Sequence, residues 1–397
     1  MKSKIANQND FDDAAWANRG DYWLKQLVPA SSYRDRIRRT LNMPLILSGH
    51  GVKLRVDRGT LLVRCGFTHY PQEREEWRFF PKDRRLPSRI VILDGDGGIT
   101  FDAIEWLATQ GVQLVQINWR GEVISVGGGF GYSASPEIVA AQNEILRNGC
   151  GSQFANYLIG QKIDNCTTTI KNVFPASPAV ELTLKQLNFR LENIRKNPLS
   201  SRGKLLGEEG MAANIYFRCW HSRSLRWRGI SRKPIPDDWH RIGPRMSGPK
   251  GNQFARHPVN AILNYCYAVL QNQVQTIIIA AGFDPSVGYI HSDETKNKPK
   301  LVFDLMEPLR PVIDRKVLEF AQSHIFSPGD FVTDKMGICK LHPQFARLVV
   351  KLVQDIQEVE SISFSNLKKL LALYPAPAKK AGRNVAQYRT RLIGRQG

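Results

Sequence analysis

The 397-residue chain has six cysteines, at 65, 150, 166, 219, 266 and 339, and no two of them stand in a Cys-x-x-Cys spacing. That excludes a zinc knuckle and a dithiol redox motif. Cys266, inside an apolar helical stretch, reads as a small buried residue. No apolar run approaches the roughly 20 residues that a membrane helix needs. The opening Met-Lys-Ser-Lys, followed by Asn, Gln and Asp, holds no apolar signal core. A cytoplasmic, reducing setting and no membrane are therefore expected. Gly95, Gly97 and Gly98 follow a strand but no Gly-Lys-Ser/Thr follows them, and the next strand comes too soon for a dinucleotide fold, so a phosphate loop is excluded.

Acidic residues are scarce as well. Against 56 Lys and Arg there are 36 Asp and Glu, a net charge of +20. Such a field favours polyanionic partners, of which nucleic acid is the commonest. The excess is concentrated. Residues 218–256 hold ten basic side chains against Asp237 and Asp238, and the last thirty residues hold eight with no acid. The first of these segments interleaves Arg223, Arg226, Arg228, Arg232, Arg241, Arg245 and Arg256 with Trp220, Trp227 and Trp239. Guanidinium groups suit bidentate phosphate contacts, and the tryptophans either stack on unpaired bases or sit in the core beneath a solvated basic face.

Periodicity divides the chain. Residues 1–43 read as a polar extension with Trp16, Tyr22 and Trp23. Residues 44–128 read as β-rich. Val52–Val56 and Thr60–Arg64 alternate about a turn at Asp57-Arg-Gly59, the pattern of a hairpin with one wet face. A strand at Arg89–Leu93, a helix at Phe101–Thr109 and a strand from Val112 follow, and Gly127–Gly131 reads as a hinge. Residues 129–362 then show apolar positions at i, i+3 and i+4: at Glu137–Arg147, Phe154–Leu158, Val180–Ile194, Glu209–Trp220, Val259–Gln275, Leu305–Phe320 and Pro343–Ile356, as does Phe364–Leu373 beyond them. The fold class expected is α+β and multidomain: a small N-terminal β-rich domain, then a larger all-α domain. Residues 363–397 form a basic tail, interrupted by Pro375 and Pro377, that adds sequence-independent phosphate affinity.

The chemistry-bearing stretch is Gly282–Pro311. A turn and a short apolar run end at His291, a polar loop with Asp293 and Glu294 follows, and an apolar run delivers Asp304 and Glu307. Imidazole with carboxylate oxygens suits Mn²⁺ or Mg²⁺. The same residues also spell a capping box, Asp304-Leu-Met-Glu307 with Pro308 in the first turn of a helix from Leu305 to Phe320. Upstream, Gly207-Glu-Glu-Gly-Met-Ala-Ala213 offers a further carboxylate at Glu208 or Glu209, beside small residues that permit close approach.

Taken in order, Gly-Glu-Glu-Gly-Met-Ala-Ala, His257-Pro-Val-Asn-Ala-Ile-Leu-Asn-Tyr265, the Gly-Phe-Asp-Pro turn with His291, and Asp304-Leu-Met-Glu-Pro-Leu-Arg-Pro311 resemble the Cas1 family of DNA integrases. The resemblance covers roughly residues 44–350. It implies a homodimer joined through the β domain, in a prokaryotic cell, that inserts short DNA into a CRISPR array, normally with the small protein Cas2. It also implies that Glu209, His291 and Glu307 hold a Mg²⁺ or Mn²⁺ ion, that Asp304 supports them or substitutes as ligand, and that Asn260, Asn264, Tyr265 and Arg310 lie near the substrate strand. The sequence departs from the family where His257 stands in place of the usual Asp of Asp-Pro-x-Asn-Ala. Casposon transposases share the same fold and chemistry. A reading from another class is a DNA-binding scaffold without catalysis, its carboxylates and histidine serving only as caps.

Overall fold

A computed structural model of the chain describes residues 45–66, 75–83, 85–87, 89–93, 95–118, 123–128, 135–221, 223–243, 255–291, 298–353 and 357–374. Outside them lie the N-terminal extension, residues 129–131 of the expected hinge, Asp293, Glu294, Arg245 and the tail from residue 375. The chain forms two compact units, one from residues 1–131, 223–269 and 320–355, the other from 132–222, 270–319 and 356–397. The first unit thus combines the N-terminal part with 223–269 and 320–355. No described helix is long and apolar enough to cross a membrane.

In the first unit, β1 (Leu45–Ser48), β2 (Val52–Asp57), β3 (Thr60–Arg64), β4 (Glu76–Phe79), β5 (Arg89–Leu93), β6 (Gly97–Ile99), α1 (Phe101–Gln110), β7 (Gln113–Ile117) and β8 (Val123–Gly128) follow one another. They build two four-stranded sheets, ordered β4-β3-β2-β6 and β1-β5-β7-β8. Both meet α1 over one core that includes Leu47, Leu54, Leu61, Val63, Ile90, Trp106 and Leu107. The hairpin turn has Arg58 and Gly59 both in the left-handed region, at φ 49° and 77°. That backbone matches the twist of the strands it joins. Trp106 donates from its indole to the Gly59 carbonyl, fastening α1 to the turn. Among the glycines that mimic a phosphate loop, Gly97 serves strand pairing. A Cβ on Gly97 would lie 1.8 Å from the Val52 carbonyl oxygen, so only glycine lets β6 pair with β2.

The rest of the chain runs through α2 (Pro136–Arg147), α3 (Gly151–Val173), α4 (Pro178–Lys196), α5 (Arg202–Arg218), β9 (Arg226–Trp227), α6 (Pro258–Ala280), α7 (Lys300–Met306), α8 (Arg310–Ser323), β10 (Ile325–Phe326), β11 (Phe331–Thr333), β12 (Cys339–Leu341), α9 (Pro343–Leu352) and α10 (Gln357–Ala372). It is predominantly helical, so the chain is α+β with a strand-rich N-terminal part and a larger helical part. The expected all-α character needs one amendment: four strands of two or three residues, β9–β12, stand among the helices.

Several helices differ from the periodic reading: α5 begins at Arg202, α9 ends at Leu352 and α10 begins at Gln357. The segment read as Phe154–Leu158 lies in the first half of a 23-residue helix, α3, that runs on to Val173. The single helix expected at Leu305–Phe320 is two. Pro308 has no N–H for the Asp304 carbonyl and its ring crowds the preceding turn, so α7 stops at Met306 and α8 restarts at Arg310.

Candidate active site

The second compact unit gathers the chemistry. α3 supplies Lys162, α5 supplies Glu209, the turn after α6 supplies His291, α7 supplies Asp304, and Glu307 follows at its C-terminal end. The sequence leaves open a capping box in which Asp304 and Glu307 begin a helix. The structure does not form it, since Asp304 lies within α7 and Glu307 at its C-terminal end. Asp304 lies inside α7, fully buried, and its carboxylate accepts backbone N–H groups from Tyr289 at 2.5 Å, Ile290 at 3.0 Å and His291 at 2.9 Å. The His291 ring adds a fourth bond, Nδ1 to Asp304 Oδ1 at 2.8 Å.

A loop can wrap a carboxylate so tightly only if it approaches the helix closely. Gly288 makes that possible, since a Cβ there would fall 2.5 Å from the Cβ of Lys300. From the other side Arg202, in the first turn of α5, donates from Nε to the Ile290 carbonyl at 2.6 Å. With Nδ1 committed to Asp304, the ring presents Nε2 to Glu307, 3.8 Å from Oε1.

Lys162 forms the centre of the constellation. Its Nζ donates to Glu307 Oε2 at 2.5 Å and to Glu209 Oε1 at shorter range. Burial disfavours the charged ammonium, but the Glu307 and Glu209 carboxylates outweigh it and the lysine pKa is raised. Burial likewise works against ionised Glu307, and Lys162, Arg310 and His291 override it, bringing its pKa down to about 2. Arg310 contributes from 3.4 Å, Nε to Oε1. Of the adjacent glutamates, Glu209, the one the family motif favours, faces Lys162, while Glu208 turns to Arg190 at 2.6 Å.

The sequence reading missed Lys162. It missed its neighbours too. Asn165 donates to the Pro308 carbonyl at 2.7 Å and Thr169 to the Pro311 carbonyl at 2.8 Å. Positions 162, 165 and 169 share one face of α3, which thus grips the break between α7 and α8. The available signal was three polar residues at helical spacing among buried Ile163, Cys166 and Ile170.

Among the described residues, no group of three His, Cys, Asp or Glu side chains stands ready to hold a metal ion. The donors themselves fit a hard divalent cation: two carboxylates and an imidazole whose other nitrogen is fixed by a buried carboxylate. Lys162 is what spans the carboxylates. Gly210, expected to admit a close neighbour, would carry a Cβ with nothing within 4 Å, so that face of α5 is open.

The expected nucleic-acid residues fall in two groups. Arg228, Arg232, Arg241 and Arg256 are exposed, and Arg223 is half-buried. Arg226, also exposed, spends a terminal nitrogen on the Gln322 and Ser323 carbonyls. Asn260, Asn264 and Arg310 are half-buried, but Tyr265 is 3% exposed and belongs to the core. The tryptophans take the structural alternative. Trp220 and Trp239 are buried. Trp227 stacks on Trp239, with ring centroids 5.8 Å apart, against Phe326 and Phe331. Their indole N–H groups go to the Trp239 and Arg256 carbonyls. Thus the basic segment is pinned from beneath by aromatics unavailable for stacking on bases.

His257 does a carboxylate's work. Its Nδ1 accepts the Val259 N–H at 3.2 Å at the start of α6, and Nε2 bonds the Arg241 carbonyl at 2.8 Å. His342 repeats the device before Pro343, accepting the Gln344 N–H.

Comparison with known proteins gives one family. The model described as CRISPR associated protein Cas1 matches residues 45–355. A CRISPR-associated endonuclease Cas1 of Archaeoglobus fulgidus is 27% identical over 326 residues, covering 78% of this chain and 86% of its own. Among solved structures, a casposase bound to integration product superposes with a TM-score of 0.67 at 23% identity, covering 85% of this chain and 92% of that one. A Cas1 protein from Thermotoga maritima gives 0.63 at 17%, covering 84% and 97%. At these identities the two structures speak for the fold.

Proposed function

That the chain belongs to the Cas1 family, whose members are endonucleases and integrases, is the premise from which we propose its reaction: metal-dependent joining of DNA 3′-hydroxyl ends to target DNA. The oxygen of an incoming 3′-hydroxyl attacks a target phosphorus. The bond from that phosphorus to its original 3′-oxygen breaks, and one phosphodiester replaces another. No ATP is consumed, in keeping with the missing phosphate loop.

What supports the reading is that Lys162 bonds both Glu209 and Glu307, from segments far apart in sequence, while His291 Nε2 lies 3.8 Å from Glu307 and Arg310 stands beside the same carboxylate. Glu209, His291 and Glu307 would hold Mg²⁺ or Mn²⁺, which supplies Lewis-acid stabilisation of charge on the phosphoryl oxygens. Asp304 fixes the His291 ring so that Nε2 faces the site. Arg310 is the nearest guanidinium and suits a phosphate oxygen. The exposed arginines of 223–256 hold the DNA backbone without reading its sequence. The partners that fit are short duplex DNA and target DNA, a second copy of this chain and a Cas2 protein. Structures in the same fold include a Cas1 assembled with Cas2 and a casposase on its product.

The test combines purified protein, a short duplex with free 3′-hydroxyls, supercoiled plasmid and Mn²⁺, with sequencing of the junctions. Joined ends that vanish in Glu209→Ala, with DNA affinity kept, support the proposal. Binding without joining in both forms leaves a scaffold.

A further inference from the structure

The two acids of the site come from different helices and bond the same ammonium. Their side chains are 22% and 8% exposed, so little water is at hand to screen one from the other. Two carboxylates so placed repel, and a cation between them is what lets both stay charged. Lys162 cannot withdraw as part of a sliding helix, because Asn165 and Thr169 fasten α3 to the Pro308 and Pro311 carbonyls on the segment that carries Glu307. Its four-carbon stem can swing on its own. Glu307 keeps Arg310 and His291 as neighbours when it does.

We propose that Lys162 is a built-in counter-ion that a divalent metal must displace: it holds Glu209 and Glu307 together in the metal-free protein and sets the concentration at which the site loads. Lys162 is a positioning residue here. The proposal rests on reading Glu209, His291 and Glu307 as metal ligands, and it adds a competitor inside the site. Any metal that binds exchanges one charge pair for another, so its apparent affinity is lower than the three donors alone would give.

The test uses the full chain freed of metal, as wild type, Lys162→Met, Lys162→Arg and Glu209→Gln. Calorimetric titration with Mn²⁺ alone gives affinity, and thermal melts in EDTA and in saturating Mn²⁺ give stability. Lys162→Met is expected to bind Mn²⁺ about tenfold tighter than wild type, while Lys162→Arg, which keeps the cation, stays within about threefold. In EDTA the methionine variant melts below wild type, and saturating Mn²⁺ closes the gap. A lysine with only a packing role lowers both melts alike. Equal or weaker Mn²⁺ binding by Lys162→Met, or a gap that persists with Mn²⁺, overturns the proposal. Should that variant not fold free of metal, folding on Mn²⁺ addition supports it and failure to fold overturns it. If wild type binds Mn²⁺ and Glu209→Gln does not, yet Lys162→Met binds no tighter, only the role of the lysine falls. If wild type takes up no Mn²⁺, the metal reading falls and this inference with it.

Discussion

Asp304 and His291 are joined twice, through the ring at 2.8 Å and through the backbone N–H at 2.9 Å. One carboxylate therefore fixes both the position of the histidine and the plane of its imidazole. Tyr289 and Ile290 donate to it as well, so the loop and the ring are oriented as one body.

Asp304→Asn puts a donor where the site needs an acceptor. Every partner of that carboxylate is an N–H or a ring nitrogen, so the amide NH₂ meets at least one of them donor to donor. Hydrogen bonds to a charged group are worth about 1.5–3 kcal/mol each, and unfolding in denaturant should show a loss of about 3–5 kcal/mol. A loss below about 1 kcal/mol would mean that the loop is held elsewhere.

Adjacent glutamates should behave differently. Glu209→Gln is expected to lower strand joining at least about a hundredfold with DNA affinity little changed, as for loss of a group acting on the reacting phosphate. Glu208→Gln loses only the pair with Arg190 and should keep joining within about threefold, since a half-exposed ion pair contributes at most about 1 kcal/mol. Equal effects of the two would remove the distinction that α5 makes.

Acid should weaken the fold in two steps. Burial depresses the pKa of His257, and of His324. The unfolded chain then binds protons that the native one refuses, so stability is full above the ordinary histidine value of 6.5 and falls below it. The slope is at most about 1.4 kcal/mol per pH unit for each proton. Thermal melts between pH 7.5 and 5.5 should fall, and less steeply in His257→Asn, which keeps an acceptor for the Val259 N–H. The second step belongs to Glu307, whose pKa is depressed from 4.5 to about 2, so its contribution is lost as pH drops through that interval. A variant as steep as wild type near pH 6 refutes the first assignment.

Asn165→Ala leaves the Pro308 carbonyl without its donor in a half-buried setting. A loss of about 1–2 kcal/mol is expected, with a similar one for Thr169→Val. Denaturant titration of the single and double variants tests whether they act on one segment. Coupling under about 0.3 kcal/mol would show that they do not.

Within the basic segment, stability and DNA affinity should separate by residue. Trp239→Ala removes a buried ring from the cluster with Trp227 and Phe331 and should cost about 3–5 kcal/mol. Arg228→Ala and Arg232→Ala, both exposed, should leave melting unchanged and weaken DNA binding, each lowering the salt slope by about one. An unaltered slope would place the DNA elsewhere.

The hairpin was legible in the sequence because its turn needs a left-handed pair that Arg58-Gly59 supplies, and its strands alternate. The helical two-thirds was legible for the same local reason. Readings the sequence left open were decided by a distant segment. The His257-Pro departure from the family pattern is explained by the Arg241 carbonyl, which the second ring nitrogen bonds. The tryptophans among the arginines, readable as core or as base-stacking rings, are core because β10, β11 and their phenylalanines pack on them.

By itself the sequence determined most of the elements and the basic field, since period and charge are written locally, and its family motifs singled out the acids and the imidazole. Tertiary structure alone decided that Asp304 serves His291 instead of its own helix, that Glu209 and not Glu208 faces inward, and that Lys162 stands between the acids. The Lys162–Glu307 and Lys162–Glu209 pairs span 145 and 47 residues. Contacts at such separation are set by how helices pack, and no local periodicity records them.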